Sequence, residues 1–185
     1  MLALVDNILR LINFIFMVIT IGLVAALLNT SNHNSGRVNY TMFAAAYGIT
    51  ADSIYGLFAN FIEPLAWPII LATLDFLNFV FMLTAGAVLA VGIRAHSCRN
   101  KEYLNSNSII QGSENRCRMS QAAVAFFFFS MAIFLAKFIM NVINAFTNGA
   151  FGSPMSSPFG SRFSRRRRTQ QPIGIATGVP NISQV

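Results

Sequence analysis

The chain has 185 residues, of which 55% are hydrophobic and only 10% charged, and its net charge is +7. A soluble domain carries about 25% charged residues, so the composition argues against water as the only solvent; 18 Phe beside one Trp and two Cys argue against a disulfide scaffold or a disordered chain. No nucleic-acid-binding motif accompanies the basic balance, so anionic lipid headgroups, not nucleic acid, are the expected counter-charge.

A helix needs about 20 apolar residues to cross the hydrocarbon core. Four such spans, their loops and a tail account for the whole length and leave no room for a separate folded domain. The first apolar run covers about 8–28, and Asp6 and Arg10 at its start stand four apart, a spacing that pairs them on a helix. It is too long, and lacks the positive leader, for a cleaved signal peptide. A polar loop follows over 29–39, then a second run over about 40–62. Pro64 and Pro68 bracket a very short connection to the third run, about 67–93, with Trp67 as an interfacial anchor. Residues 94–119 form a longer polar loop and 120–146 the fourth run. The tail, 147–185, is rich in Gly, Ser, Pro and Arg and is expected to be disordered in water. All four spans should be helices, since a helix satisfies its own backbone groups in lipid. The expected fold is therefore an all-α membrane protein: a four-transmembrane-helix antiparallel bundle, 1–146, followed by a disordered basic C-terminal tail.

Four spans place both termini on one side. Arg10, Arg162, Arg165, Arg166, Arg167 and Arg168 lie there; Arg37, Arg94, Arg99, Lys101, Arg116 and Arg118 lie opposite, so the count of positive charges does not choose an orientation. The two cysteines do so weakly. Cys98 and Cys117 share one loop and can form a disulfide if that loop faces an oxidising compartment; free thiols, or palmitoylation of Cys98, are the alternatives. The arginine cluster of the tail suits an anionic cytoplasmic leaflet.

Asp52, Asp75 and Lys137 interrupt the apolar runs, each at a cost of about 2.5–3.5 kcal/mol at a helix centre. At about 1.5 Å per residue they lie roughly 12 to 15 Å in from the side of the termini. Antiparallel helices thus bring them to one layer. Tyr40, Ala44, Gly48, Asp52, Gly56 and Asn60 recur at i+4 steps, a small-residue packing face that carries Asp52 inward. Asn78 shares a face with Asp75. Ser130, Lys137, Asn141 and Asn144 form a polar stripe, and Asn13 is the first span's contribution. The expected intramembrane network is Asp52, Asp75, Asn78, Lys137 and Asn141; it either fixes the bundle or relays protons. Two Asp against one Lys leave one carboxyl unmatched.

No catalytic constellation, metal-ligand spacing or phosphate loop appears, so no enzyme activity, cofactor or metal is expected. His33 and His96 read as solvated loop residues, and Phe126 to Phe129 as lipid-facing bulk. Asn29 and Asn39 match a glycosylation pattern but lie too close to the membrane ends for use. In the tail, Arg162, Arg165, Arg166, Arg167 and Arg168 are candidate contacts for anionic lipid, at about 1 kcal/mol per residue. Phosphorylation of Ser157, Ser161 or Ser164 would oppose that attraction. The C-terminal Ile182-Ser183-Gln184-Val185 resembles a carboxylate-capture motif.

Several segments in order resemble the fungal non-classical export protein family, four-span membrane proteins of MARVEL type. They are MLALVDNILRLINF (1–14), RVNYTMFAAAYGI (37–49), NFIEPLAWPI (60–69), TLDFLNFVF (73–81), AVGIRAHSC (90–98), RCR (116–118), QAAVAF (121–126), NGAFGS (148–153) and ISQV (182–185). The tail around 153–164 reads as longer than in that family. The resemblance implies a multi-pass protein of the plasma membrane, with cytosolic termini, in the furrow domains called eisosomes. It implies a role in organising those domains, in responses to sphingolipid status and in unconventional protein export. Membrane lipids (anionic lipid, sphingolipid or sterol), eisosome proteins and further copies of the chain are the expected partners. A small proton-coupled transporter or channel subunit is the alternative.

Overall fold

The structure is a computed structural model that describes residues 2–31, 35–55, 67–94 and 96–148. The expected lipid contacts of the tail, Arg162, Arg165, Arg166, Arg167 and Arg168, lie outside these residues, as do Ser157, Ser161 and Ser164. His33, Gly56, Asn60 and the connection 63–66 lie outside them too.

The described residues form helices and no strands. Helix α1 covers Leu2–Asn29 and α2 covers Gly36–Ile49, continued by a π-helical segment, Thr50–Tyr55. Helix α3 covers Pro68–Ile93, α4 Lys101–Ser106 and α5 Glu114–Asn148. Among the described residues, three stretches are long and apolar enough to cross a membrane: Val5–Asn29, Ile69–Ile93 and Glu114–Thr147. Within the second expected run, regular α-helix ends at Ile49 and gives way to the wider π turns that carry Asp52.

The polarity of the helices is inverted relative to a soluble bundle. On α1, Val5, Ile8, Leu11, Ile12, Phe14, Ile15, Val18 and Ile19 are exposed. The buried stripe of the same helix is Asn13, Met17, Thr20, Val24 and Leu27, spaced alternately four and three. Helix α5 repeats this over its whole length: Arg116, Ser120, Ala123, Phe127, Ser130, Phe134, Lys137, Asn141 and Asn144 are all buried, again in fours and threes. Such a repeat keeps one seam of a helix against its neighbours. Here the seam holds most of the polar side chains and the outward surface is apolar.

Contacts order the helices. Helix α5 packs along both α3 and α1, and α2 packs against α1 and α3. The Tyr40 hydroxyl, early in α2, shares a hydrogen bond of 2.6 Å with Thr84 Oγ1, late in α3. Phe16 of α1 meets Phe126 and Phe129 of α5 at ring distances of 5.5 and 5.9 Å. Gly48 sits against Met17 and Met82, so close that a Cβ would fall 2.5 Å from the Met82 methyl and 2.7 Å from that of Met17. Of the four consecutive phenylalanines, Phe128 and Phe129 are exposed but Phe127 is fully buried, which corrects their reading as outward bulk. A helix turn presents four successive residues to different sides, and one must face the seam.

Between α3 and α5 the chain is ordered by side chains more than by length. Arg94 closes α3 in a left-handed conformation (φ 52°), its N–H bonded to the Ala90 carbonyl at 3.0 Å. Asn100 caps α4 by accepting from the Glu102 and Tyr103 N–H groups. Helix α5 begins at Glu114, inside the stretch expected to be loop. Its first turns carry polar residues outward while Arg116, Cys117 and Ser120 already face in.

Candidate functional site

Asp52, Asp75 and Lys137 meet in one layer, as their depths along the chain predict. Lys137 is fully buried, and its Nζ lies against Asp52 Oδ1 and 3.0 Å from Asp75 Oδ1. Asn13 Nδ2 donates to Asp52 Oδ2 at 2.8 Å, and Asn141 Nδ2 donates to Asp75 Oδ2 at 2.7 Å. The ammonium also stands 5.1 Å over the Phe134 ring, so the helix that supplies the cation supplies an aromatic face one turn away.

Arg10 changes the charge balance expected from sequence. Its Nη1 reaches Asp52 Oδ1 at 3.0 Å while its Nε holds Asp6 Oδ2 at 2.8 Å. Asp52 and Asp75 are therefore matched by Arg10 and Lys137. The extra carboxylate is Asp6, in the first turns of α1, not a group midway along a span. Sequence reasoning paired Arg10 with Asp6 alone, because both stand before the apolar run. Arg10 lies three residues from the inward-facing Asn13, a spacing that gives the face of α1 it occupies but not the partner it reaches.

Asn78 behaves differently from expectation. It is buried one turn from Asp75, but neither atom of its amide makes a hydrogen bond among the described residues. The same holds for Ser130 Oγ and Asn13 Oδ1. Asn78 thus shares the polar interior without joining the charge-linked set of Arg10, Asn13, Asp52, Asp75, Lys137 and Asn141. That set draws on α1, the π-helical segment, α3 and α5, so it ties together four separate parts of the chain.

A second cluster lies at the other end. Cys98 and Cys117 are joined in a disulfide, with Cα atoms 5.7 Å apart. Arg116, counted from sequence among the loop charges, is 4% exposed. Its Nη1 donates to the Leu27 carbonyl at 2.9 Å and to Thr30 Oγ1, and its Nη2 donates to the Ile109 carbonyl at 2.8 Å. Arg116 therefore closes the end of α1, where helix carbonyls lack partners within the helix. Asn107 Nδ2 donates to the Gly92 carbonyl at 3.0 Å, and the Tyr103 hydroxyl donates to the Ile93 carbonyl. Together they do the same for α3. Burial pushes the Tyr103 phenol above its ordinary range, with a backbone hydrogen bond at His96 pulling back. His96 is exposed and packs edge-on against Tyr103. Arg116, Tyr103 and Asn107 were missed in the sequence because loop polarity hides a buried partner; for Arg116 the signal was its place in the four-three repeat of Ser120, Ala123 and Phe127.

An apolar exterior around a polar, charge-matched interior, on helices long enough to span, defines a multi-pass membrane protein. The chain matches the MARVEL family, described as a membrane-associating domain, over residues 2–140. It is 66% identical to non-classical export protein 2 of Saccharomyces cerevisiae and 51% identical to non-classical export protein 2 homolog 1 of the same yeast. It is also 46% identical to non-classical export protein 102 of Candida albicans. Each of these alignments covers 100% of both chains. This chain belongs to the non-classical export protein family of MARVEL-type membrane proteins. The full-length alignment over 185 residues corrects the expectation of a longer tail around 153–164. No solved structure matches the chain.

Proposed function

We propose that the chain is a plasma-membrane domain organiser. In this reading it is a four-span antiparallel bundle with cytosolic termini that helps form eisosome-type furrows, responds to sphingolipid status and serves unconventional protein export. The observation that carries the reading is the division between surface and interior. The ionised groups of the interior are matched to one another, whereas α1 alone presents eight large apolar side chains outward, from Val5 to Ile19. What such a molecule offers its surroundings is a lateral surface for lipids, for further copies of itself and for the proteins of a furrow. The names of its relatives supply the link to export. In the tail, Arg162, Arg165, Arg166, Arg167 and Arg168 would hold the anionic cytosolic leaflet, and phosphorylation of Ser157, Ser161 or Ser164 would weaken that hold. Replacing these five arginines by Gln in a fluorescently tagged chain should disperse its membrane clusters while leaving the protein at the cell surface. Clusters of unchanged size and number would remove the lipid-holding role of the tail.

The second reading, a small proton-coupled transporter or channel subunit, draws on the buried amide of Asn78 and hydroxyl of Ser130 beside the charge layer. Under the organiser reading, purified chain in liposomes carries no proton flux above that of protein-free vesicles. A flux abolished by Asp75→Asn would favour the transporter instead.

A further inference from the structure

We propose that a cleft between the start of α2 and the end of α3 binds the phosphodiester headgroup of a membrane lipid. The cleft has a volume of about 900 Å³, and Arg37, Arg94, His96 and Glu102 line it. Its floor is built. A Cβ on Gly92 would fall 2.5 Å from Cδ1 of Ile109 and 3.3 Å from both Cδ and Nη1 of Arg37, so the bare backbone of α3 lets Ile109 pack against it and the Arg37 side chain lie across it. The carbonyls of Gly92 and Ile93 beneath are taken by Asn107 and Tyr103, which fixes the wall on the side of α4.

The positive charge of the cleft is not neutralised from within. Arg10, Arg116 and Arg118 each bond a carboxylate or a carbonyl. The Arg37 and Arg94 side chains make no hydrogen bond or ion pair among the described residues, although Glu102 lines the same cleft. Ser35, at the N-cap of α2, makes no capping bond with its side chain, so the first N–H groups of that helix add their positive end to the two guanidinium groups. Helix α3 leaves its apolar stretch, Ile69–Ile93, at this level, where headgroup phosphates would lie. Each guanidinium can donate two parallel N–H groups to a pair of phosphodiester oxygens, the bidentate geometry in which arginine binds phosphate best. Glu102 and Ser106, which also line the cleft, suit the hydroxyls of a polyol headgroup. The proposal requires only that the chain lie in a membrane; it does not depend on the organising role or on the tail.

The test uses native mass spectrometry of the full chain, released from micelles doped with equal phosphatidylinositol and phosphatidylcholine. The wild-type chain should retain phosphatidylinositol in preference. Arg37→Gln with Arg94→Gln should lower that retention about tenfold or more, since two charge-assisted contacts are lost, while Arg99→Gln, outside the cleft, should not. Equal retention by all three proteins overturns the proposal. So does displacement of the lipid by millimolar inorganic phosphate, which would assign the cleft to free phosphate. If the double variant fails to fold, a photoactivatable phosphatidylinositol on the wild-type chain decides: labelling of the peptides that carry Arg37 or Arg94 supports the site, and labelling confined to other peptides refutes it.

Discussion

Replacing Lys137 by Met removes the one cation that, among the described residues, touches both buried carboxylates. The two do not lose equally. Asp52 keeps Arg10 at 3.0 Å and the Asn13 amide at 2.8 Å, whereas Asp75 keeps, among the described residues, only the Asn141 amide at 2.7 Å. Breaking a buried pair by removing one partner costs about 3–5 kcal/mol, because a charge is left without a counterpart. Lys137→Met should therefore destabilise the chain by about that amount, and Asp75 should carry most of it. Asp75→Asn alone leaves Lys137 with Asp52 and should cost about 1–3 kcal/mol in lost charge-assisted hydrogen bonding. The double variant, Lys137→Met with Asp75→Asn, retains Arg10 opposite Asp52 and has no stranded carboxylate. It should be more stable than Lys137→Met alone, with a coupling of about 2–4 kcal/mol in the cycle. The assay is unfolding of the purified full chain in mixed micelles titrated with dodecyl sulfate, followed by far-ultraviolet circular dichroism. If Lys137→Met unfolds within about 0.5 kcal/mol of the parent, or if the double variant loses the sum of the single losses, the charge layer does not hold the helices together as the geometry says.

Reducing the Cys98–Cys117 bond, or replacing Cys98 by Ser, should lower stability by about 2–4 kcal/mol; thiol alkylation with and without reductant reports the bond, and the same detergent titration reports the loss. Arg116→Leu should cost about 2–4 kcal/mol, since it strips donors from the buried carbonyls of Leu27 and Ile109; amide hydrogen exchange should rise at the end of α1 and in 107–113, and unchanged exchange there would show that Arg116 closes nothing. Gly48→Val should destabilise by about 1–3 kcal/mol through overpacking against Met17 and Met82, whereas Gly48→Ala should cost less, because both obstructing atoms are the ends of flexible side chains. Equal midpoints for Val and Ala at this position would mean that α1, α2 and α3 do not approach closely there.

What was legible in the sequence follows the helical period. Asp52, Asp75 and Lys137 could be brought to one layer because each sits within a long, otherwise apolar run, where counting residues measures depth. Helix α3 was read almost to its ends, Pro68 opening it and polar sequence following Ile93. The start of α5 was not, because Glu114 and Arg118 form an exposed i,i+4 pair that looks like loop, while Arg116, Cys117 and Ser120 between and after them already face the seam. The reach of Arg10 to Asp52 and the capture of the Gly92 carbonyl by Asn107 were illegible for a different reason. Both depend on where two distant segments end in space, and no period along one segment carries that information. The π-helical segment, Thr50–Tyr55, has no sequence sign that we can name.

Lipid tails are as apolar as leucine, so burial of apolar surface gives helices in a bilayer little reason to choose one another. The choice must then come from groups that lipid cannot satisfy and from backbones that can approach closely. Both are distributed along this bundle in a definite order. At one level Arg10, Asp52, Asp75 and Lys137 bind α1, the π-helical segment, α3 and α5 by charge. Farther along, Gly48 lets α2 close on Met17 of α1 and Met82 of α3. At the far level Arg116 and the Cys98–Cys117 bond join the loop, α1 and α5. The apolar surface needs no such specificity, which is why α1 can turn Leu11, Ile15 and Val18 outward and keep Asn13 and Thr20 within. A polar residue in these runs is therefore a statement about a neighbouring helix, and the scarcity of charge in the composition is what makes each of those statements unambiguous.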